Sequence, residues 1–382
     1  MVCDQLFEII DGLEGAYLDV LEEVCNIESP TNFKQGVEKV GAYFIDIAKK
    51  HNWKVDICKQ EISGDAVCIT MNPDAKAKAI CVSGHMDTVH PVGLFGNPAV
   101  KRDEKNMYGP GVMDCKGGIV AAVMAMEALE KCGFDSRPVH LLLQSDEENG
   151  SATSQKKTIE YMCKKAEGSA AFLNLEGIKG DTAVLQRKGI LRYRFTVHGK
   201  SLHSSRCAEA SNAIAEAAYK IIELEKMKDA DGLTCNCGVI SGGTTANTVA
   251  DNCSFIADIR FATTEELEKA RENVMKIAGK TTVEGCSCEA EEISFRPAMA
   301  YSNKNVELLE KMNEIYKENG LPVLKGRICL SGSDAAYITE YGIPCVDNLG
   351  TEGSNIHSVN EYIRLASLVE AAKRIGAFIY CV

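Results

Sequence analysis

The stretch 139–151, VHLLLQSDEENGS, decides the fold because a largely apolar run stops abruptly at three adjacent carboxylates. The run 139–143 has the nearly continuous apolar character of a strand that is buried on both faces, as in a parallel sheet. Asp146, Glu147 and Glu148 repel one another, and burying even one carboxylate without a counter-charge is costly. The stretch therefore predicts a buried strand that ends at water, a basic partner or a metal.

Three further apolar runs end in the same kind of chemistry. AKAICVSGHMD ends at His85 and Asp87, SAAFLNLEG ends at Glu176, and GIPCVDNLG leads into TEGSNIH and His357. Helical patterns lie between the runs, among them DCKGGIVAAVMAMEALEKCG, and SVNEYIRLASLVEAAKRIGAFIY closes the chain as another. This alternation predicts an α/β domain whose mostly parallel sheet has helices on both faces. Ligands bind such sheets beyond the carboxyl ends of the strands, where these polar residues all fall.

The middle of the chain has a different pattern, because its strands alternate and follow the order βαββαβ. This order predicts an inserted ferredoxin-like domain at about 185–298, so the surrounding α/β domain consists of 1–184 and 299–382. Two C-x-C pairs, Cys235/Cys237 and Cys286/Cys288, raise the alternative of a structural zinc site. They fall on the second and fourth strands, which lie at opposite edges in this topology, so we favour ordinary strand cysteines.

Charge and composition exclude several classes of function. The 382 residues carry a net charge of −12 with no Lys/Arg-rich run, so we expect neither a nucleic acid nor an anionic membrane surface as partner. No apolar stretch has the length of a membrane span. The N-terminus is typical of an acidic amphipathic helix rather than a signal peptide. The seventeen cysteines are then best interpreted as reduced thiols of a cytoplasmic protein.

The strand ends together offer a mixed nitrogen and oxygen ligand set. Such a set suits zinc, cobalt or manganese better than calcium. Its excess of carboxylates over histidines suggests two ions that share one carboxylate. Three carboxylates and one hydroxide carry four negative charges, which balance the four positive charges of two divalent ions. The candidate residues are His85, Asp87, Asp114, Glu147, Glu148, Glu176 and His357.

Local geometry suggests roles for some of these residues. His85 and Asp87 are two residues apart in an extended segment and share a face, so Asp87 can accept the free ring N–H of His85. Glu147 and Glu148 point in different directions, so one can bind metal while the other acts as general base. The spacing does not decide which. Asp114 lies in the glycine-rich turn YGPGVMDCKGG, which can bring its carboxylate between two metals.

The motifs resemble those of the M20 family of metallopeptidases and amidohydrolases, in its glutamate-carboxypeptidase-like branch. They are GHMDTV, GPGVMDCKGG, DEENGS, LNLEG, HGKSLHSS, GGTTANTV, FRPAM, SGSDAAY and GTEGSNIHSVNEY, in the order of the family and across residues 85–362. The resemblance implies two zinc ions, with cobalt or manganese as substitutes. It implies one ion at His85 and Glu176, the other at Glu148 and His357, Asp114 as the bridge, Asp87 orienting His85, and Glu147 as the proton carrier.

The resemblance also implies that the inserted domain is a lid through which the protein forms a homodimer. His203 would reach the active site of the partner subunit, and Asn247 and Arg296 would grip a substrate carboxylate. The implied activity is cleavage of an amide or peptide bond next to a free carboxylate, of carboxypeptidase or dipeptidase type, with a small peptide or N-acyl amino acid as substrate. The alternatives are an N-acyl amino acid deacylase and a non-catalytic metal-containing protein that binds peptides.

Overall fold

The computed structural model describes residues 2–229 and 232–382, which divide into two compact units. The first unit comprises the chain up to Leu185, Tyr301–Ile328 and Ser333–Val382, and the second comprises Gln186–Ala300 and Cys329–Gly332. The helices are α1 (Asp4–Asn26), α2 (Lys34–Lys50), α3 (Lys116–Lys131), α4 (Lys157–Ala166), α5 (Ala213–Glu225), α6 (Thr264–Gly279), α7 (Asn303–Glu318), α8 (Ala335–Glu340) and α9 (Ala366–Cys381), and Ser204–Glu209 is a 3-10 helix.

The strands are β1 (Lys54–Cys58), β2 (Ala66–Met71), β3 (Ile80–His85), β4 (Lys101–Arg102), β5 (Asn106–Tyr108), β6 (Val139–Gln144), β7 (Ala171–Asn174), β8 (Thr182–Arg187), β9 (Gly189–His198), β10 (Thr234–Gly242), β11 (Asn252–Phe261), β12 (Ser287–Arg296), β13 (Lys325–Cys329), β14 (Cys345–Val346), β15 (Gly353–Ser354) and β16 (Tyr362–Arg364). None of the described helices has the length and apolar character needed to cross a membrane.

The main sheet of the first unit has the strand order β1-β2-β6-β3-β7-β14. Its central strand β3 pairs in parallel with β6 and β7, and β14 extends the parallel part, whereas β1 and β2 are antiparallel. Leu141 and Leu143 join the core that α1, α3 and α9 cover, while α4 packs on β2 and β6. Leu142 points away from that core. The predicted α/β fold with a mostly parallel sheet is confirmed.

The second unit contains one antiparallel sheet with the order β10-β11-β9-β12, on which α5 and α6 pack. Its core alternates along the strands, and the rings of Phe195 and Phe255 stack with centroids 4.6 Å apart. Asn212 and Thr263 begin the two helices by accepting backbone N–H groups with their side chains. The topology is the βαββαβ arrangement predicted from the sequence, and its role as a lid stays a prediction.

The closing helix begins later than its sequence pattern predicts. We expected a helix from Ser358 onwards, but α9 begins at Ala366, and Tyr362–Arg364 forms strand β16, which pairs with β5. Tyr362 and Ile363 favour an extended backbone. Arg364 forms ion pairs with Glu352 and Glu370, which also hold this segment in place. Tertiary contacts therefore override the helical periodicity over eight residues.

Candidate metal centre

Adjacent strands of the main sheet deliver the candidate ligands to one edge. His85 is the last residue of β3, Glu148 follows the neighbouring strand β6, and Glu176 follows β7 on the other side. His357 lies in the loop between β15 and β16. Because the carboxyl ends of parallel strands meet at the same edge, residues that are far apart in sequence lie within contact distance here.

Asp114 lies at the centre of this group. Its Oδ1 atom is 3.0 Å from Nε2 of His85, and its Oδ2 atom is 3.1 Å from Nε2 of His357. Glu176 Oε1 lies 3.8 Å from the His85 nitrogen, and Glu148 Oε2 lies 3.3 Å from the His357 nitrogen. The two oxygens of one carboxylate thus face two separate pairs, each made of a histidine and a glutamate.

Asp87 connects the histidine to the carboxylate loop. His85 Nδ1 lies 2.9 Å from the carbonyl oxygen of Asp87 and 3.4 Å from its carboxylate, so the carbonyl is the nearer acceptor. The Asp87 carboxylate accepts the backbone N–H groups of Glu147 (3.1 Å) and Glu148 (3.2 Å) and the hydroxyl of Thr31 (2.7 Å). One buried residue therefore fixes both the His85 ring and the loop that carries Glu147 and Glu148.

Asp146, the first carboxylate of the acidic triplet, forms its hydrogen bonds with the segment that follows it. It is fully buried and accepts the backbone N–H of Ser154 (2.8 Å) and the hydroxyl of Thr158 (2.6 Å). Its backbone oxygen also accepts the N–H of Ser151 at 2.8 Å. The role of Asp146 is structural, because these bonds close the loop between β6 and α4.

The loop that carries Asp114 is locked by close backbone packing. A Cβ atom on Gly117 would lie 2.2 Å from the carbonyl oxygen of Val112, and one on Gly118 would lie 2.2 Å from that of Leu175. Only glycine allows the first turn of α3 to approach both loops this closely. The adjacent pair of glycines in DCKGG is therefore required to bring Asp114 beside Glu176, which follows Leu175.

Glu361 also holds the Asp114 loop, and sequence reasoning missed it. Its buried carboxylate accepts the backbone N–H groups of Gly111 (3.2 Å), Met113 (2.9 Å) and Asp114 (3.1 Å), and it lies 3.1 Å from Nε2 of His90. The structural sign of its role is that the expected helix does not form around it. Glu361 directly precedes β16, where the sequence predicted a continuous helix.

Replacing Glu361 with glutamine is expected to weaken zinc binding about 10–100-fold, the usual cost of losing a partner that orients a metal ligand. The amide nitrogen of glutamine would face a backbone N–H, so at least one of the three bonds is lost. The measurement is zinc affinity by chelator competition, with Glu314→Gln, at an exposed residue of α7, as a control that keeps the Asp114 loop intact. Unchanged zinc affinity together with lowered thermal stability would show that Glu361 has only a structural role.

Bound protons balance much of the negative charge of the carboxylates in this group. Burial opposes protonation of His85, yet Cys115, Asp114 and Asp87 together raise its pKa well above the ordinary value. Hydrogen bonds with Asp114 and Glu148 raise the pKa of His357 to about 10. Burial raises the pKa of Glu148 to about 7, and burial with the charge of Asp114 raises that of Glu176. The two histidines outweigh burial and lower the pKa of Asp114.

We expect metal binding to release protons and to tighten as the pH rises. A group whose pKa lies above the solution pH holds its proton in the metal-free protein and must lose it to become a ligand. Below pH 7 Glu148 holds a proton in addition to His85 and His357, whereas above pH 7 Glu148 has lost its proton and the two histidines keep theirs. Logarithmic zinc affinity should therefore rise more steeply with pH below 7 than above it. Calorimetry in buffers of different ionisation enthalpy measures the proton release, and an affinity independent of pH would contradict it.

The donor set fits divalent metal ions of the zinc class. Ligand atoms of His85, Asp114 and Glu148 lie within 4.8 Å of one another, as do those of His85, Cys115 and Glu176. Imidazole and carboxylate ligands together suit zinc, cobalt and manganese. A divalent ion supplies the positive charge that protons otherwise bring to the cluster.

The predicted substrate residues lie in the second unit, and two of them come together there. His203 caps the N-terminus of the 3-10 helix, and its neighbour Ser204 donates its N–H to the backbone oxygen of Asn247 at 2.9 Å. The His203 ring accepts the N–H of Ser205 at 3.3 Å and is exposed. Arg296 is the last residue of β12 and is buried.

The chain belongs to the peptidase family M20/M25/M40, whose model matches residues 81–380. It is therefore a metal-dependent hydrolase of the peptidase and amidohydrolase type. The predicted resemblance to the M20 family is confirmed.

Curated relatives extend over nearly the whole chain. It is 25% identical to carboxypeptidase G2 of Pseudomonas sp. (strain RS-16), over 95% of this chain and 88% of the relative. It is 27% identical to succinyl-diaminopimelate desuccinylase of Nitrosospira multiformis, over 89% of this chain and 91% of the relative. A tripeptidase of Staphylococcus aureus has the same fold, with a TM-score of 0.79 at 21% identity, over 96% of this chain and 98% of that one.

Proposed function

We propose that the protein is a dinuclear zinc hydrolase that cleaves an amide or peptide bond next to a free carboxylate. The observation that carries the proposal is the placement of Asp114, whose two oxygens face His85 and His357 separately. His85 and Glu176 would hold one ion, Glu148 and His357 the other, and Asp114 both. Cobalt or manganese would fit the same ligands. Bound divalent ions supply a Lewis acid for the scissile carbonyl and make water acidic enough to react.

Glu147 is the residue that we propose moves the proton. Its backbone N–H is held by Asp87, so the side chain leaves the loop in a fixed direction. Its charge contributes, after burial and Asp114, to raising the pKa of both Glu148 and Glu176, which supports the proposal. In the proposed reaction a Glu147 carboxylate oxygen takes a proton from the attacking water and delivers it to the leaving nitrogen.

Two substrate classes are consistent with the relatives. Similarity to carboxypeptidase G2 supports the first class, a peptide or amino-acid conjugate that an enzyme of carboxypeptidase or dipeptidase type would cleave. Similarity to the desuccinylase supports the second class, an N-acyl amino acid that a deacylase would cleave. Both classes carry a free carboxylate beside the scissile bond, for which Arg296 and Asn247 are the proposed contacts. An arginine suits this task because its guanidinium can bind a carboxylate through two hydrogen bonds. His203 remains the proposed stabiliser of the oxyanion.

Hydrolysis of paired substrates tests this proposal. The zinc-loaded protein would be assayed with γ-glutamyl peptides, α-peptides, N-acyl amino acids and folate-type conjugates, each as a free acid and as the amide. We expect kcat/KM about 10²-fold higher for the acids, because the amide leaves a cationic side chain without its partner. Equal rates for acids and amides would contradict the proposal. Glu147→Gln protein, purified in parallel, reveals any contaminating peptidase.

We also propose that the protein forms a homodimer through the second unit and works in the cytoplasm. Strand β10 lies at one edge of its sheet, and its residues Val239 and Ile240 are 59% and 53% exposed, so this edge offers an apolar surface to a second copy. All seventeen cysteines lie within the described residues and are free thiols, which suits a reducing compartment.

Light scattering should therefore give twice the chain mass of 41.4 kDa. Ile240→Glu should shift the protein towards monomer, because it places a charge on the apolar edge. Ile62→Glu, at an exposed apolar residue of the first unit, should not. A wild-type protein that is monomeric at every concentration would rule the dimer out.

A further inference from the structure

Two cysteines that the proposed reaction does not use lie side by side in the first unit. Cys3 directly precedes α1, and Cys381 is the last residue of α9. They are 378 positions apart in the sequence, yet their sulfur atoms lie 3.6 Å apart. Both are free thiols, Cys3 fully buried and Cys381 exposed. A dissolved oxidant can therefore reach one thiol of the pair, while the other is shielded from solvent and in contact with the first.

Contacts on both sides hold the backbone of the pair in place. The Cys3 N–H donates to Oδ1 of Asn319 at 3.0 Å, and the Cys3 carbonyl accepts the N–H of Phe7 at 2.9 Å. Near the end of α9, the ring of Tyr380 packs against that of Phe134, with centroids 6.2 Å apart. A disulfide has a sulfur–sulfur distance of about 2.05 Å. The sulfurs must therefore approach by roughly 1.5 Å, a shift that rotation of the two side chains can supply.

The two thiols differ in reactivity because they differ in burial. Burial is the largest cause that raises the pKa of Cys3 to about 12, so Cys3 stays protonated and does not itself react with an oxidant in solution. Cys381 is exposed and meets the oxidant first. Once Cys381 is oxidised, the thiol that attacks it is already in contact, which gives the reaction within the chain its advantage over attack by a second molecule.

We propose that Cys3 and Cys381 form a reversible disulfide when the protein is exposed to hydrogen peroxide. The Cys381 thiol loses its proton and its sulfur attacks one peroxide oxygen, so the O–O bond breaks and a sulfenic acid and one water form. The Cys3 sulfur then attacks the sulfenic sulfur, and its proton leaves with the hydroxide as a second water. Two thiols and one peroxide thus give one disulfide and two waters. A small thiol reverses the bond by exchange.

The position of the pair indicates what the disulfide does. Phe134, which packs against Tyr380, follows the C-terminal end of α3, whereas Asp114 precedes its N-terminal end. A helix of this length spans about 24 Å, so we expect oxidation of the pair to leave the metal centre unchanged. A cross-link between distant positions restricts the unfolded chain. The oxidised protein should therefore be more stable, with a Tm about 5 °C higher.

Hydrogen peroxide treatment of the full-length protein tests the inference. After the remaining thiols are alkylated, mass spectrometry of a digest should find a Cys3 peptide linked to a Cys381 peptide, and dithiothreitol should remove the link. Tm should rise on oxidation and fall back on reduction. Cys381→Ser, at an exposed position, should lose both the link and the rise in Tm. Cys132→Ser is the matched control, because Cys132 lies at the same end of α3, and it should keep both.

Three results would contradict the inference, which does not depend on the proposed function. Cys381 recovered as an alkylated thiol or a sulfinic acid, without the linked peptide, would overturn it. A link that disappears in Cys132→Ser would assign the bond to a different pair. A linked protein that melts no higher than the reduced one would exclude the stabilising role. Each is read from thiols and Tm alone, so a failure of the metal centre leaves the test intact.

Discussion

Glu147→Gln is expected to lower kcat by about 10²–10⁴-fold, the usual contribution of a general acid–base group, while the protein keeps its full metal content. Glutamine has nearly the size of glutamate, and the backbone N–H that binds Asp87 is unaffected. The variant therefore removes only the ability to carry a proton. Metal analysis and steady-state kinetics on the same preparation measure both expectations.

The neighbouring residue provides the matched control. Glu148→Gln makes the same chemical change at the adjacent carboxylate. Glu148 Oε2, however, lies 3.3 Å from Nε2 of His357, and Glu148 is a proposed metal ligand. It should lose one metal as well as activity. If Glu147→Gln lost metal and Glu148→Gln did not, the two roles would have to be exchanged. If Glu147→Gln kept wild-type turnover, the proton-transfer role would be excluded.

Asp114→Ala is expected to weaken both metal sites together, each by more than about 100-fold, since it removes a ligand rather than a partner that orients one. The reason is that one carboxylate faces both histidines. Glu176→Ala and His357→Ala each remove a ligand from only one proposed site, so each should weaken one site and largely spare the other. Calorimetric titration with zinc distinguishes the three variants. An Asp114→Ala protein that retains one site at wild-type affinity would disprove the bridge.

Most of the site could be predicted because it follows from sheet geometry. His85, Glu148 and Glu176 were identified as strand-end residues, and parallel strands bring their carboxyl ends to one edge whatever the intervening sequence. Spacing alone could not assign Glu147 and Glu148 to different tasks. That assignment came from the family resemblance, and it remains a prediction.

The missed features depend on contacts between distant segments. Glu361 was hidden because its segment has helical periodicity, and its bonds to the backbone N–H groups of Gly111, Met113 and Asp114 join segments that are far apart in the sequence. Cys115 was treated as one core thiol among seventeen, since the sequence does not show that its sulfur accepts the backbone N–H of His85. Asp146 had no assigned role, because its partners Ser154 and Thr158 follow a turn whose course the sequence does not specify.

The central claim is that one carboxylate-bridged centre holds two metal ions and that hydrolysis depends on both. The most direct test is to strip the protein with a chelator, add zinc stepwise, and measure bound metal and peptide hydrolysis in the same samples. We predict saturation at two zinc ions per chain, with activity absent from the stripped protein and restored as the ions bind. Saturation at one ion with full activity, or hydrolysis by the stripped protein, would contradict the claim.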